Sequence, residues 1–426
     1  MSFVQSVVRP RLRRPGPAAG DSAGRPLPGT APRPRLYLLD LLRLLAALGV
    51  VLWHYAGYQG WPADVWGGRP GDVIPVLHKI GSYSWIGVEL FFLISGFVVC
   101  MSCWGKTSGA FFRSRVVRLF PGYWFGVLVA AAVVLAYRPN WMWNGKMFRY
   151  SDVLTNLTMV QKGEGVWDVD PVYWTLWVEL RFYVLFGVVV AIGLSYKRVV
   201  AFCAMWTFAS VITTASGGLP LLDLIFFPDY SSFFIAGIAM YLMYRYGQDM
   251  LLWGIVGFSW LLAQNKLHKI MSDYQAFSGG PLSYTKLLLL MTLAFAVVAA
   301  TALGWFRWVK WRKLTVLGAL TYPLYLLHQV VGWWFLTHLQ GKVGPYTEAG
   351  LVIGAMLVAA YLVNRFVEQP GSKLLKRGLE KSFDRMRGID AREALAKREQ
   401  RARARHAGEE PQEETPRAAQ PVGAES

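Results

Sequence analysis

The chain has 426 residues, 54% of them hydrophobic and only 16% charged, with a mean hydropathy of +0.33. A soluble chain is about one-quarter charged and could not hide 19 Trp and 24 Phe, so a disordered protein, a coiled coil and an ordinary cytosolic enzyme are excluded. The net charge of +18 would suggest nucleic acid in a soluble domain. Here the basic residues lie between apolar stretches and in the tails, which fits positive-inside sorting and contact with anionic lipid headgroups, with no nucleic-acid partner.

Residues 1–35, rich in Arg, Pro and Gly, read as a disordered basic arm. They do not resemble a secretory signal, because the apolar stretch that follows is too long and lacks a small-residue cleavage site. The fold class is then an all-α polytopic bundle over 36–371, with about ten helices of spanning length. They fall near 37–56, 84–103, 120–137, 173–193, 199–216, 229–246, 250–264, 286–303, 315–338 and 349–367, the seventh being short. Alternation from a cytoplasmic N-terminus puts Arg113, Arg115 and Arg118, then Lys197 and Arg198, then Arg307, Lys310, Arg312 and Lys313 in inner loops. Only scattered cations such as Arg69, Arg149 and Lys342 fall outside, so both termini are expected in the cytoplasm of a multi-pass cell-membrane protein. The outer loop 138–172 is Trp-rich, carries Trp167-Asp-Val-Asp170-Pro171 and is placed to fold over an outward opening. Residues 372–426 read as a charged cytoplasmic tail, in which Ala391–Arg405 forms either a basic surface helix or plain solvated chain. Cys100 and Cys103 form a lone C-x-x-C with no second ligand pair, so they read as packing residues, and no metal site is expected.

Ionisable groups inside spans are costly, and each is a candidate for function. Arg43 and His54 are eleven residues apart in the first span, about three helical turns, so they share a face and stand about 16 Å apart along the axis. Arg43 alone fits a residue snorkelling to headgroups, and His54 alone fits a core histidine bonded to a carbonyl. Glu179 sits within the apolar run Tyr173-Trp-Thr-Leu-Trp-Val-Glu-Leu-Arg-Phe-Tyr183, where a carboxylate seeks a cation or imidazole partner. Glu89, in the second span, fits a site residue or a carboxylate at a helix start. Tyr322, Tyr325 and His328 form one stripe at i, i+3 and i+6, a polar seam at least. Arg115 and Arg118, three apart, point the same way on a helix and could grip a phosphate together. No Walker, Rossmann or H-E-x-x-H pattern occurs.

Six motifs in order resemble the acyltransferase-3 family of integral membrane acyltransferases, over about residues 37–371. They are Leu39-Asp-Leu-Leu-Arg43 with His54; Gly87-Val-Glu-Leu-Phe-Phe-Leu-Ile-Ser-Gly96; Arg115-x-x-Arg118 with Pro121; Trp174-Thr-Leu-x-x-Glu179-x-x-Phe182-Tyr183; Tyr322-x-x-Tyr325-Leu-Leu-His328; and Glu368-x-Pro370. Leu44, Glu89 and Thr175 stand where the family often has Gly, Asp and Ser.

The resemblance implies transfer of an acyl group, commonly acetyl, from acyl-CoA to a hydroxyl of a sugar-containing acceptor: a glycan, a lipid-linked sugar or a glycosylated natural product such as a macrolide. His54 is then the candidate base or transient acyl carrier, because a neutral imidazole suits the deprotonation of an alcohol. Glu179 or His328 is its orienting partner. Arg43, Arg115 and Arg118 are assigned to the phosphates of the donor, and Glu89, Trp174 and Tyr325 to the acceptor. Two other classes compete: a secondary transporter using its buried ionisable groups for proton coupling, and a structural scaffold. The first lacks a repeated half-sequence. The second has no use for His54, Glu179 and His328 in lipid.

Overall fold

The computed structural model describes residues 36–59, 63–137, 148–217, 219–383, 385 and 399–400. The N-terminal arm, the 138–147 part of the outer loop and, apart from residues 399 and 400, the segment Ala391–Arg405 lie outside the described residues. Among the described residues there is no strand. The long helices are α1 (Tyr37–Leu52), α2 (Gly87–Cys103), α3 (Ser108–Tyr137), α4 (Trp174–Ile192), α5 (Tyr196–Ala215), α6 (Pro228–Tyr246), α7 (Met250–Ser278), α8 (Tyr284–Ala302), α9 (Lys313–Leu327), α10 (Val330–Leu339) and α11 (Pro345–Val363).

Eight helical segments among the described residues are long and apolar enough to cross a membrane. A ninth candidate is the pair α9–α10, bent by 73°. The stretch expected at 250–264 is the first half of α7, whose second half turns polar with Lys266, His268, Lys269 and Asp273. Helix also continues past α11 to Phe383, across the expected domain boundary at 371. There Ser372 Oγ donates to Val117 O at 2.8 Å, tying this helical extension to α3.

Two helix pairs set up the interior. At the crossing of α2 and α6, a Cβ on Gly96 would collide with the Phe234 carbonyl and one on Gly237 with the Leu93 carbonyl. The glycines therefore let the two backbones touch, as small residues do in membrane bundles. The second pair, α1 beside α9, brings together two histidines far apart in sequence. Both helices depart from regular geometry where those histidines sit. α1 ends in a π-turn, Trp53–Gly57, closed by Tyr58 N–H to Trp53 O at 2.8 Å. α9 stops at Leu327 and the chain turns into α10. Such irregular backbone survives at membrane depth only if its freed polar groups find other partners.

Candidate active site

Those partners are all side chains from elsewhere in the fold. In the π-turn, His54 O accepts from Trp333 Nε1 at 2.9 Å and Tyr55 O from Trp66 Nε1 at 2.8 Å. At the break, His328 O accepts from the Tyr55 hydroxyl at 2.7 Å and Leu326 O from the Tyr173 hydroxyl at 3.0 Å. The Tyr55 hydroxyl lies where a Cβ on residue 332 would be, so only Gly332 admits it.

The two imidazoles meet at this point. His328 Nδ1 is 2.8 Å from Tyr325 O, and its Nε2 is 3.1 Å from His54 Nδ1, which is also 2.9 Å from Val50 O. A carbonyl can only accept, so His328 carries its proton on Nδ1 and His54 on Nδ1. His328 Nε2 then accepts from His54 Nδ1–H, and the lone pair of His54 is left on Nε2. The network sets one tautomer for both rings.

Three chambers, labelled outer, middle and inner in order from His54 towards Arg118, lie in the bundle; His54 lines the outer one and His328 lines none of them. The outer one, about 330 Å³, is lined by His54 and an aromatic wall that includes Trp85, Trp174, Tyr274 and Trp333. It shares the lining residues Val88 and Tyr325 with a smaller middle chamber of about 70 Å³. The middle chamber holds Arg43, Ser95, Arg118, Glu179 and Tyr322. Arg43, Arg118 and Tyr322 also line the third chamber, about 400 Å³, whose other walls include Ser114, Asn364, Glu368 and Ser372. Of the stripe Tyr322–Tyr325–His328, the two tyrosines line these chambers, whereas His328 is fully buried behind His54. Pro171 and Val172, the last two residues of the expected loop and the start of the helical segment Pro171–Ile192, line the chamber of His54.

Several expected partnerships are redrawn. Glu179 does not touch either imidazole. Its Oε1 accepts from Ser95 Oγ at 2.8 Å and from the Tyr183 hydroxyl, one chamber away from His54. Of the two expected partners, only His328 contacts His54. Arg115 does not share a chamber with Arg118. It is 6% exposed, donates to Ser102 Oγ at 2.7 Å and lies over the rings of Phe111 and Tyr183, because its face of α3 packs on α2 and α4. Glu89 lines no described chamber. It is 2% exposed in the first turn of α2, with neither carboxylate oxygen hydrogen-bonded among the described residues. Trp174 lines the outer chamber, and Tyr325 lines both outer and middle chambers while its hydroxyl bonds Thr175 Oγ1 at 2.7 Å.

Sequence reasoning passed over Asp170. Its Oδ1 accepts from Val172 N–H and its Oδ2 from Val330 N–H, each at 3.2 Å. Burial pushes its carboxyl up to about 7, against the pull of those two donors. An Asp before Pro171 at the start of a helical turn is a capping signature that the sequence does display.

The fold and this centre define a polytopic membrane protein with two hydrogen-bonded imidazoles, one of them lining an aromatic chamber next to a chamber that holds Arg43 and Arg118. The chain belongs to the acyltransferase-3 family, whose acyltransferase-domain model matches residues 36–365. It is 28% identical over 385 residues to Acyltransferase MdmB of Streptomyces mycarofaciens, an alignment covering 80% of this chain and 93% of that protein. No solved structure matches. The chain is accordingly an O-acyltransferase, and the transporter and scaffold readings fall.

Proposed function

We propose that this enzyme moves an acyl group, commonly acetyl, from cytoplasmic acyl-CoA to a hydroxyl of a sugar-containing acceptor held in the outer chamber. With both termini cytoplasmic and α7 counted as a tenth crossing, the chamber of Arg43, Arg118 and Glu368 opens on the inner side of the cell membrane. Arg43 and Arg118 then meet the anionic donor. The middle chamber, at about 70 Å³, suits a slim pantetheine arm and excludes the nucleotide. The thioester reaches the junction at Val88 and Tyr325, residues shared with the chamber of His54, which stands about 16 Å along the first span from Arg43.

The observation that carries this reading is the one-way hydrogen-bond chain from His54 to the Tyr325 carbonyl, which leaves His54 Nε2 unprotonated. As the acceptor oxygen attacks the thioester carbonyl, Nε2 takes its proton. Collapse of the tetrahedral centre breaks the C–S bond, and the proton passes from Nε2 to the departing sulfur. His328 holds the ring while its charge develops. The aromatic wall offers ring faces to the apolar side of a sugar.

The test uses purified, reconstituted protein with labelled acetyl-CoA and two acceptors, a glycosylated macrolide and a bacterial membrane glycolipid. Label should move to one of them with the wild type and not with His54→Ala. Both proteins should still bind acetyl-CoA. Undiminished transfer by His54→Ala would remove the proposed base.

A further inference from the structure

A regular helix through residues 326–330 would join Val330 N–H to Leu326 O, but among the described residues that bond is not made. Both of its halves are satisfied by the same short segment. Asp170 Oδ2 takes Val330 N–H, and the Tyr173 hydroxyl takes Leu326 O. The Pro171–Tyr173 turn that joins them is itself capped by the other oxygen of Asp170. One turn of the outer loop is thus wedged into a single missing helical bond.

The wedge has a consequence for the imidazoles. Because the helix is open, Gln329 N–H does not return to Tyr325 O. That carbonyl is free to accept from His328 Nδ1, the contact on which both tautomers depend. Closing the helix would send Val330 N–H to Leu326 O and Gln329 N–H to Tyr325 O. His328 would lose its sole claim on that acceptor. A proton moved to His328 Nε2 would face the Nδ1–H of His54, and relieving that clash by reversing His54 would put its proton on the atom needed as base.

We propose that Asp170 is the positioning residue of the His54–His328 pair: it holds the α9–α10 break open, and the break supplies the carbonyl that fixes the tautomer of the base. This rests on the reading of His54 as base. Asp170 touches neither the donor nor the acceptor in it, and acts only through backbone.

The groups around Asp170 are Tyr55 on the π-turn, Tyr173 beside it, Tyr325 on α9, His328 at the break and Asp168 in its own loop. None is a fixed cation. Protonation of Asp170 turns one acceptor oxygen into a donor and removes one arm of the wedge, so acyl transfer should lose activity on an acid limb near pH 7.

Asp170→Asn in the full-length reconstituted enzyme tests this, with labelled acetyl-CoA and the macrolide or glycolipid acceptor. An amide keeps the shape, but one of the two N–H groups then meets an NH₂. The expected result is a kcat lower by about 10²-fold, the cost of a small misplacement of reacting groups, with KM for acetyl-CoA unchanged. The residual activity should lack the acid limb near pH 7. A variant that lost only folding stability would keep the wild-type pH profile. Should Asp170→Asn fail to accumulate, Tyr173→Phe removes the other half of the wedge and should lower kcat at constant KM. Wild-type kcat and pH profile in Asp170→Asn, or wild-type kcat in Tyr173→Phe, would overturn the inference. If His54→Ala is inactive in the same assay, that result overturns this inference alone; an active His54→Ala removes the base itself.

Discussion

His328 Nε2 stands 3.1 Å from His54 Nδ1, across 274 residues of sequence, and the bond between them runs in one direction only. Tyr325 O at one end and Val50 O at the other allow no other placement of the two protons. With His54 as the proposed base, His328 acts through it. His328→Ala should lower kcat by about 10²-fold, near the lower end of an acid–base contribution, with little change in either KM. In a His54→Ala background it should cost nothing further, since residues that act as a unit are not additive. Steady-state kinetics on the two single variants and the double variant decide this. A full additional loss in the double variant would give His328 a role of its own.

The pair was half legible in the sequence. Arg43 and His54 share a face by spacing alone, and the stripe Tyr322–Tyr325–His328 follows from helical periodicity. What could not be read was the break at 328–330. The run 315–338 is mostly apolar and reads as one helix, and the groups that open it, Tyr55, Asp170 and Tyr173, lie at least 150 residues away. Spacing likewise puts Arg115 and Arg118 three residues apart on α3, yet Arg115 is buried and Arg118 exposed. Whether each cation meets a chamber or a ring depends on Ser102 and Tyr183 of other helices. Periodicity fixes direction within an element, and packing between elements decides what lies in that direction.

The two arginines of α3 should behave differently. Arg118 lines the middle and inner chambers, and Arg115 is sealed against Tyr183. Arg118→Gln should raise KM for acetyl-CoA by about tenfold or more, the value of one charge-assisted hydrogen bond of roughly 1.5–3 kcal/mol. Arg115→Gln should leave that KM within about twofold and instead lower thermal stability, because it strips a buried guanidinium from Ser102 and two rings. Equal KM effects would restore a shared phosphate site.

Glu179 shares its chamber with Arg43 and Arg118 and accepts from Ser95 and Tyr183. Its negative charge opposes an anionic donor. Glu179→Gln keeps an acceptor oxygen for the two hydroxyls while removing that charge. The expected change is a lower KM for acetyl-CoA, with kcat reduced only as far as CoA release slows. A residue orienting the base would show the reverse, a large loss in kcat at constant KM. Donor titrations on the variant separate the two.

Asp168 offers a test of the outer loop that is independent of chemistry. It is buried, and Gln161 Nε2 donates to its Oδ1 at 2.7 Å. Burial pushes its carboxyl up to about 6, despite the Gln161 bond and the nearby Lys162, which pull down. An ordinary aspartate titrates near 3.9. Between those two values the folded protein holds a proton that the unfolded chain has released, so stability falls as pH rises through this window and stays low above it. Asp168→Asn keeps an acceptor for Gln161 and never ionises. It should therefore raise Tm at pH 8, where the buried charge costs on the order of 1–3 kcal/mol at about 1.4 kcal/mol per pKa unit. The gain should shrink by about half at pH 5 and vanish near pH 4. Thermal unfolding of wild type and variant at those three pH values measures it. A variant less stable than wild type at pH 8 would mean that the carboxylate charge itself holds the loop, contrary to the direction of its shift.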